Sequence, residues 1–177
     1  IVIIGASAAG ISAAKTIKAS EPDTEVVIIA KEDSVHSRCM LHKFLGHQRD
    51  AKGISFIADD FFSSNGITWL NNTTVISLDA QKKTVKTHDN QDISYDKLLI
   101  ATGAAYFIPP IPGLREAKNV YGFRDLKDAQ LLDSECNTAK NAVVIGAGLV
   151  GMDAAVAMLE RGLKVTVIEM TAAVMSL

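Results

Sequence analysis

Residues 142–169 read AVVIGAGLVGMDAAVAMLERGLKVTVIE, and their pattern decides the fold. Ala142–Ile145 is a short apolar run, rich in β-branched side chains, of the kind buried on both faces of a parallel sheet. Gly146-Ala147-Gly148-Leu149-Val150-Gly151 breaks it and opens an apolar helix over Met152–Arg161. Lys164–Glu169 is a second strand. Strand, tight turn, helix and strand in this order make a parallel pair joined by a crossover helix.

The turn is a full G-x-G-x-x-G. Such a string alone is weak evidence, but between a buried strand and a helix it has a mechanism. Gly146 permits the tight turn, Gly148 lets a pyrophosphate approach the backbone, and Gly151 lets the helix pack against the strand. The first N–H groups of the helix then face the phosphates. Glu169, 18 residues beyond Gly151, is placed to accept from a ribose 2′-hydroxyl. A carboxylate there repels a 2′-phosphate, so NADH is expected rather than NADPH.

The same unit stands about 140 residues earlier, at the start of the chain. Ile1–Ile4 is a β-branched run, Gly5-Ala6-Ser7-Ala8-Ala9-Gly10 the turn, Gly10–Ile17 a helix, and Glu25–Ala30 the second strand. Ser7 replaces the middle glycine; it is small and its hydroxyl can donate to phosphate. Ala30 occupies the place of Glu169, so the ribose acid is missing there, and Glu32 is the nearest substitute. Two units at this spacing mean two nucleotide-binding domains, or one domain and the start of another.

Between them, a short helix is expected over Arg38–Gly46, another within Ile54–Asn65, and a strand at Ile67–Leu70. Val75–His88 alternates and is followed by a turn at Asp89–Asp92, which reads as an antiparallel insert. Leu98–Ala101 is a buried strand, Pro109–Gly113 is stiff and extended, and Asp125–Cys136 is a helix.

The 177 residues carry 18 Lys and Arg against 20 Asp and Glu, a net charge of −2, so no global field steers the chain to nucleic acid or an anionic membrane. Hydrophobic residues make up 48% and charged residues 21%, which excludes disorder of the whole chain. No uncharged apolar run reaches membrane-spanning length, and no signal-peptide pattern is present. Cys39 and Cys136 form no disulfide framework, and a reducing, cytoplasmic setting is expected.

GASAAG at 5–10, YDKLLIATGA at 95–104, PPIPG at 109–113 and GAGLVG at 146–151 together resemble the FAD-dependent pyridine nucleotide–disulfide oxidoreductases. The resemblance spans essentially the whole chain. It implies an α/β fold: a Rossmann-like FAD-binding domain with an antiparallel β-meander over 1–113, a crossing segment over 114–140, and the beginning of a second Rossmann-like, NAD-binding domain over 141–177. FAD contacts are then expected from Gly5, Ser7, Ala8, Ala9 and Gly10, and from Ala30, Lys31 and Glu32. Arg38, Val75, the Ala101-Thr102-Gly103 segment and Arg124 complete that set. NADH falls to Gly146, Gly148, Leu149, Val150, Gly151 and Glu169. The resemblance also implies an N-terminal fragment of a longer protein, with a homodimer made through a C-terminal domain.

Cys39 bears on the branch. The dithiol Cys-x4-Cys pair of glutathione-reductase-type members is absent. Ser37-Arg38-Cys39-Met40-Leu41 stands where the single-cysteine NADH oxidases, peroxidases and coenzyme A-disulfide reductases keep a redox cysteine. It also resembles the Ser-Arg-x-x-Leu segment of nitrite reductase and NADH:rubredoxin reductase flavin modules, which need none. Arg38 and a helix start favour the thiolate of Cys39, whereas a small buried side chain is the commoner fate of cysteine. Ala8 replaces the histidine that peroxidase members keep in the first turn. His36 and His42 read as packing or surface residues, since no second pair completes a metal site with Cys39. Cys136 and Trp69 read as packing, and Met170 and Met175 as core or terminus. The electron acceptor is left open among a rubredoxin-like protein, oxygen and a disulfide. The alternative from another class is a nucleotide-binding redox sensor or scaffold with little turnover.

Overall fold

The computed structural model describes residues 1–175. In chain order its elements are β1 (Val2–Ile4), α1 (Ala8–Ser20), β2 (Val26–Ile29), a 3₁₀ turn (Arg38–Met40), α2 (Leu41–Leu45), α3 (Phe61–Ser64) and β3 (Ile67–Leu70). There follow β4 (Val75–Asp79), β5 (Thr84–Thr87), β6 (Asp92–Ser94), β7 (Leu98–Ile100), α4 (Leu126–Cys136), β8 (Asn141–Ile145), α5 (Leu149–Glu160) and β9 (Lys164–Ile168). They form two compact units. Unit 1 holds residues 1–35 and 55–104; unit 2 holds residues 36–54 and the chain from Ala105 onward.

In unit 1 the strands form a parallel sheet of order β3-β2-β1-β7, with Ile3 level with Ile28 on one side and Leu99 on the other. Alternate residues of these strands face opposite ways, and both faces are covered. Ile3 and Ile28 pack with Ile11 and Ala14 of α1, and with Phe61 and Ile67. Val2 and Ile29 pack on the other face against Val85 of the antiparallel sheet β4-β5-β6. That is why β1 and β2 carry no polar residue. Trp69 is indeed packing: its ring stacks on Phe62 at 4.6 Å between centroids.

In unit 2, β8 and β9 form a parallel pair in register from Asn141↔Lys164 to Ile145↔Ile168. Val144 packs with Ala154, Ala155 and Met158 of α5, and with Leu45 and Cys136. A second cluster joins Leu41 and Ile54 to Leu126 and Ala129 of α4. Asp125 caps α4: its carboxylate accepts from Asp128 N–H at 3.1 Å, and Asp128 reaches back to Asp125 N–H. The buried His36 adds a third tie, its Nε2 accepting from Leu126 N–H at 3.1 Å.

Arg161 closes α5 and is the polar centre of unit 2. Its guanidinium donates to the Asp133 carboxylate, to Leu45 and Asp133 carbonyls, and to Asn137 Oδ1 at 2.6 Å. Leu45 ends α2 and Asn137 caps α4, so three helix C-termini meet one cation. Each C-terminus carries a partial negative charge, which a guanidinium offsets.

Three expectations change in detail. The helix foreseen within Ile54–Asn65 is confined to Phe61–Ser64; Ile54 ends a turn, and its carbonyl accepts from Ser37 N–H instead of from a helical N–H. The Arg38–Gly46 helix is a 3₁₀ turn followed by five α residues. The alternating run Val75–His88 is two strands, broken where Asp79 Oδ1 accepts from Gln81 and Lys82 N–H groups and Lys83 takes φ 51°.

Candidate functional site

Each unit carries one glycine-rich turn at the carboxyl end of its first strand, and the two are built alike. Gly5 N–H donates to Ile29 O at 2.8 Å, and Gly146 N–H to Ile168 O at 2.8 Å. Gly5 has φ 112° and Gly146 φ 101°, a region that strains any other residue. The next helix begins three residues later in both. Ser7 and Gly148 are the N-caps, with extended backbones of φ −90° and −75°. A Cβ on Gly10 would stand 1.9 Å from Gly5 O, and one on Gly151 2.1 Å from Gly146 O. The third glycine of each turn thus lets helix and strand close up, as the sequence motif requires.

Neither helix is capped by a side chain at its N-terminus. The N–H groups of Ala8, Ala9 and Gly10, and of Leu149, Val150 and Gly151, lie in first turns, where no intrahelical carbonyl reaches them. Nothing stands within 4 Å of a Cβ position on Gly148 or Gly146. Open space beside uncapped N–H groups fits a pyrophosphate at the second turn, and the first turn presents the same uncapped N–H groups.

Unit 1 also brings up the Ala101 segment. Ala101 N–H donates to Ile4 O at 2.8 Å, and Ala101 O lies 2.3 Å from a Cβ position on Gly5. Ala101, Thr102 and Gly103 therefore line the same edge as Gly5, between β1 and β7. There the strand order reverses, where open α/β sheets bind ligands. Ala30 is buried, its N–H donating to Leu70 O at 3.0 Å and its carbonyl accepting from Thr73 N–H at 2.8 Å. Glu32 follows two residues on, partly exposed, and Lys31 is exposed. Val75 packs beneath the sheet with Val2 and Ile29.

In unit 2 the strand-end acid is tied to its turn. Glu169 Oε2 accepts from Ala147 N–H at 2.7 Å, and Oε1 from Thr171 N–H at 2.8 Å. These donors hold the Glu169 carboxyl down at about 2, well below its ordinary 4.5. The acid is thus ionised and oriented, in part by Thr171, for which the sequence held only a faint signal. Met170, next to it, is 98% exposed and is not core.

Arg38, Cys39 and Arg124 belong to unit 2. Cys39 is exposed within the 3₁₀ turn, so it does not share the buried fate of Cys136. The helix behind it is only five residues long, and its dipole is correspondingly small. Arg124 N–H donates to Asp128 Oδ2 at 2.7 Å, which fixes the backbone of the crossing segment. His42 Nδ1 lies 3.4 Å from Asp153 Oδ2 of α5. No helix among the described residues is long and apolar enough to cross a membrane.

Two glycine-rich strand–helix units, one with a strand-end acid, define a dinucleotide-binding α/β protein. The chain belongs to the pyridine nucleotide-disulphide oxidoreductase family, whose model matches residues 1–177. The assimilatory nitrate reductase electron transfer subunit of Bacillus subtilis is 36% identical over 177 residues, covering 99% of this chain and 23% of that protein. Among solved structures, the water-forming NADH oxidase from Lactobacillus brevis bound to NADH matches with TM-score 0.88 and 31% identity, over 98% of this chain and 40% of that one. Its engineered NADPH-bound variant matches with TM-score 0.89 and 30% identity, over 98% of this chain and 40% of that one. The chain spans less than half the length of each of these proteins.

Proposed function

We propose that the chain is the nucleotide-binding part of an NADH-dependent flavoprotein oxidoreductase. FAD is assigned to the turn Gly5–Gly10 with Ala101–Gly103, and NADH to the turn Gly146–Gly151 with Glu169. The observation that carries this reading is the matched construction of the two turns, each with an uncapped helix N-terminus. When bound, FAD supplies the chemistry that takes a hydride from NADH and passes electrons on singly or in pairs.

The chain's own residues bind and orient. N–H groups of the first turns of α1 and α5 hold the two pyrophosphates, and the Ser7 hydroxyl adds a donor to the first. Glu169 accepts from the adenosine ribose diol and repels a 2′-phosphate, which favours NADH over NADPH. The engineered NADPH-bound relative supports this. Its substitutions include Gly→Ala and, eighteen residues on, Asp→Ala, the same spacing as Gly151 to Glu169. In unit 1 the buried Ala30 offers no acid, and Glu32 takes that task. Arg38 and Arg124 are assigned to the flavin side, and Cys39 to a thiol relay toward oxygen or a disulfide; a rubredoxin-like protein is the acceptor that needs no such relay.

The test is the visible spectrum of the full-length protein before and after anaerobic NADH. A flavin spectrum bleached by NADH is the expected result. Flavin that ignores NADH favours a redox sensor, and a folded protein that takes up no FAD overturns the reading. Cys39→Ser then separates the acceptors: turnover with oxygen or disulfide falls if the thiol carries electrons, and reduction by NADH is unchanged.

A further inference from the structure

Unit 1 has no acid at the end of β2. Ala30 stands there, and Glu32 follows two residues on, partly exposed, in the loop beyond the strand. An acid on a loop orients a ligand well only where its backbone is held, because ordering a residue costs entropy. The turn after β3 supplies that hold. Thr73 N–H donates to Ala30 O at 2.8 Å, Asn72 N–H to Glu32 O at 3.1 Å, and Asn71 Nδ2 to Asp33 O at 3.4 Å. Three consecutive residues of one turn thus take up three carbonyls around Glu32. Ala30 N–H also donates to Leu70 O at 3.0 Å, which ties the same loop to the last residue of β3.

Asn72 makes the reach possible. Its φ is 48°, a left-handed backbone that most side chains disfavour and that asparagine tolerates. The Thr73 hydroxyl donates to Asn71 O at 2.8 Å and closes the turn from within. Asn71 and Asn72 are both exposed, so core packing does not account for them.

We infer that Asn72 is a positioning residue for FAD: its left-handed backbone carries its N–H to the Glu32 carbonyl and so holds the loop acid where it accepts from the adenosine ribose diol. The inference rests on the reading of Gly5–Gly10 as the FAD site with Glu32 as its acid. The two acids of the chain are then held by different means, Glu169 through its carboxylate oxygens and Glu32 through its main-chain carbonyl. Glycine takes the φ of Asn72 without strain, so Asn72→Gly keeps the turn. Valine, branched at Cβ, does not adopt it readily, so Asn72→Val opens the turn and lets Glu32 swing. Alanine falls between the two. If the turn served stability alone, opening it would weaken every form of the flavin nucleotide alike.

The experiment uses the full-length protein stripped of flavin, with dissociation constants read from flavin fluorescence. FAD is compared with its analogue built on 2′,3′-dideoxyadenosine, which keeps the flavin and the pyrophosphate but offers no diol. Wild type, N72G, N72A, N72V, E32A and the E32A/N72V double variant are measured. Wild type is expected to prefer FAD by at least about tenfold. That preference is expected to fall about fivefold in N72V, about threefold in N72A, and to stay within about twofold of wild type in N72G. In the E32A background N72V is expected to change it no further, because the turn acts through Glu32. N72A carries the test should N72V fail to fold. Equal weakening of both nucleotides in N72V and N72A, an unchanged preference, or an N72G as poor as N72V overturns the inference while the site stands. A preference that survives E32A overturns it too, since the diol is then read elsewhere. A folded wild type that takes up no FAD overturns the site and the inference together.

Discussion

At Gly5 an added methyl group would stand 2.3 Å from a backbone carbonyl, that of Ala101; at Gly146 it would meet nothing within 4 Å. The two glycines share a positive φ and the same hydrogen bond to the neighbouring strand. What differs is the surroundings. In unit 1, β1 has β2 on one side and β7 on the other, and both faces of β1 and β2 are covered, although Ile100 of β7 is 59% exposed. In unit 2, β8 pairs with β9 alone among the described strands, and Val143 and Ile145 are 61% and 44% exposed. The lesson is that one motif serves two requirements, and only one of them is local. The turn itself demands positive φ, whereas the neighbour demands the missing side chain.

The largest expected effect follows directly. Gly146→Ala strains one residue at a cost of about 1–3 kcal/mol. Gly5→Ala adds a collision with the Ala101 backbone, and its cost is expected to exceed that by at least about 1–3 kcal/mol. Denaturant unfolding of the full-length protein with flavin content as a second readout checks both. Equal losses at the two glycines would mean that β7 yields, and the contrast between the turns would collapse.

The next effect probes what replaces a two-sided core in unit 2. Arg161 is 9% exposed and joins the ends of α2, α4 and α5. Arg161→Met keeps roughly the volume but takes the donor from Asn137 and two carbonyls and leaves Asp133 only His47 Nε2 at 2.7 Å, at a cost of about 3 kcal/mol. Arg161→Lys recovers part of this, since an ammonium cannot span the same acceptors as a planar fork. Thermal unfolding decides the matter. A neutral Arg161→Met would show that unit 2, like unit 1, rests on apolar packing.

A smaller effect separates the strand-end positions. Glu169→Gln is expected to weaken NADH binding about tenfold and to narrow the gap to NADPH. The carboxyl is held at about 2 against its ordinary 4.5. A lowered value means the charge is fully present above 4.5 and is lost only as pH falls toward 2. The affinity for NADH itself should therefore be flat from pH 5 to 8 in binding titrations, as far as this carboxylate sets it; a difference between wild type and Glu169→Gln that fades across that range would show that Glu169 is not its source.

Much of this was legible from local pattern. The branched runs at β1, β2, β7, β8 and β9, the two turns and Asp125 before α4 are short-range signals, and they became the expected elements. What stayed hidden was long-range or substituted chemistry. The turn between β4 and β5 has no Gly or Pro; Asp79 builds it with its carboxylate, and Lys83 accepts the positive φ. His36 looked like a packing residue because its partner, Leu126 N–H, lies 90 residues away. Arg161 gave no sign, since its acceptors come from three separate helix ends. Thr171 had a faint signal: a threonine two residues past a strand-end acid can close a turn on it.

The smallest expected effect is the sharpest test of equivalence. Ser7 and Gly148 hold the same place, with nearly the same backbone, and neither φ requires glycine. Ser7 makes no capping bond with its side chain, so the hydroxyl contributes little to α1. Serine and glycine differ by only a few tenths of a kcal/mol at an N-cap. Ser7→Gly and Gly148→Ser should therefore leave the unfolding midpoint almost unmoved. A Cβ on Gly148 meets nothing within 4 Å, so Gly148→Ser also costs no contact. Its effect on NADH reports only on the space the pyrophosphate needs. With unit 1 as guide, that space admits a hydroxymethyl group, and affinity should change by less than about threefold, about 0.6 kcal/mol. Gly148→Val, branched at Cβ, should do far worse in the same titration. If Gly148→Ser already abolishes binding, the second turn seats its ligand closer to the backbone than the first, and the two sites are alike in chain geometry but not in use.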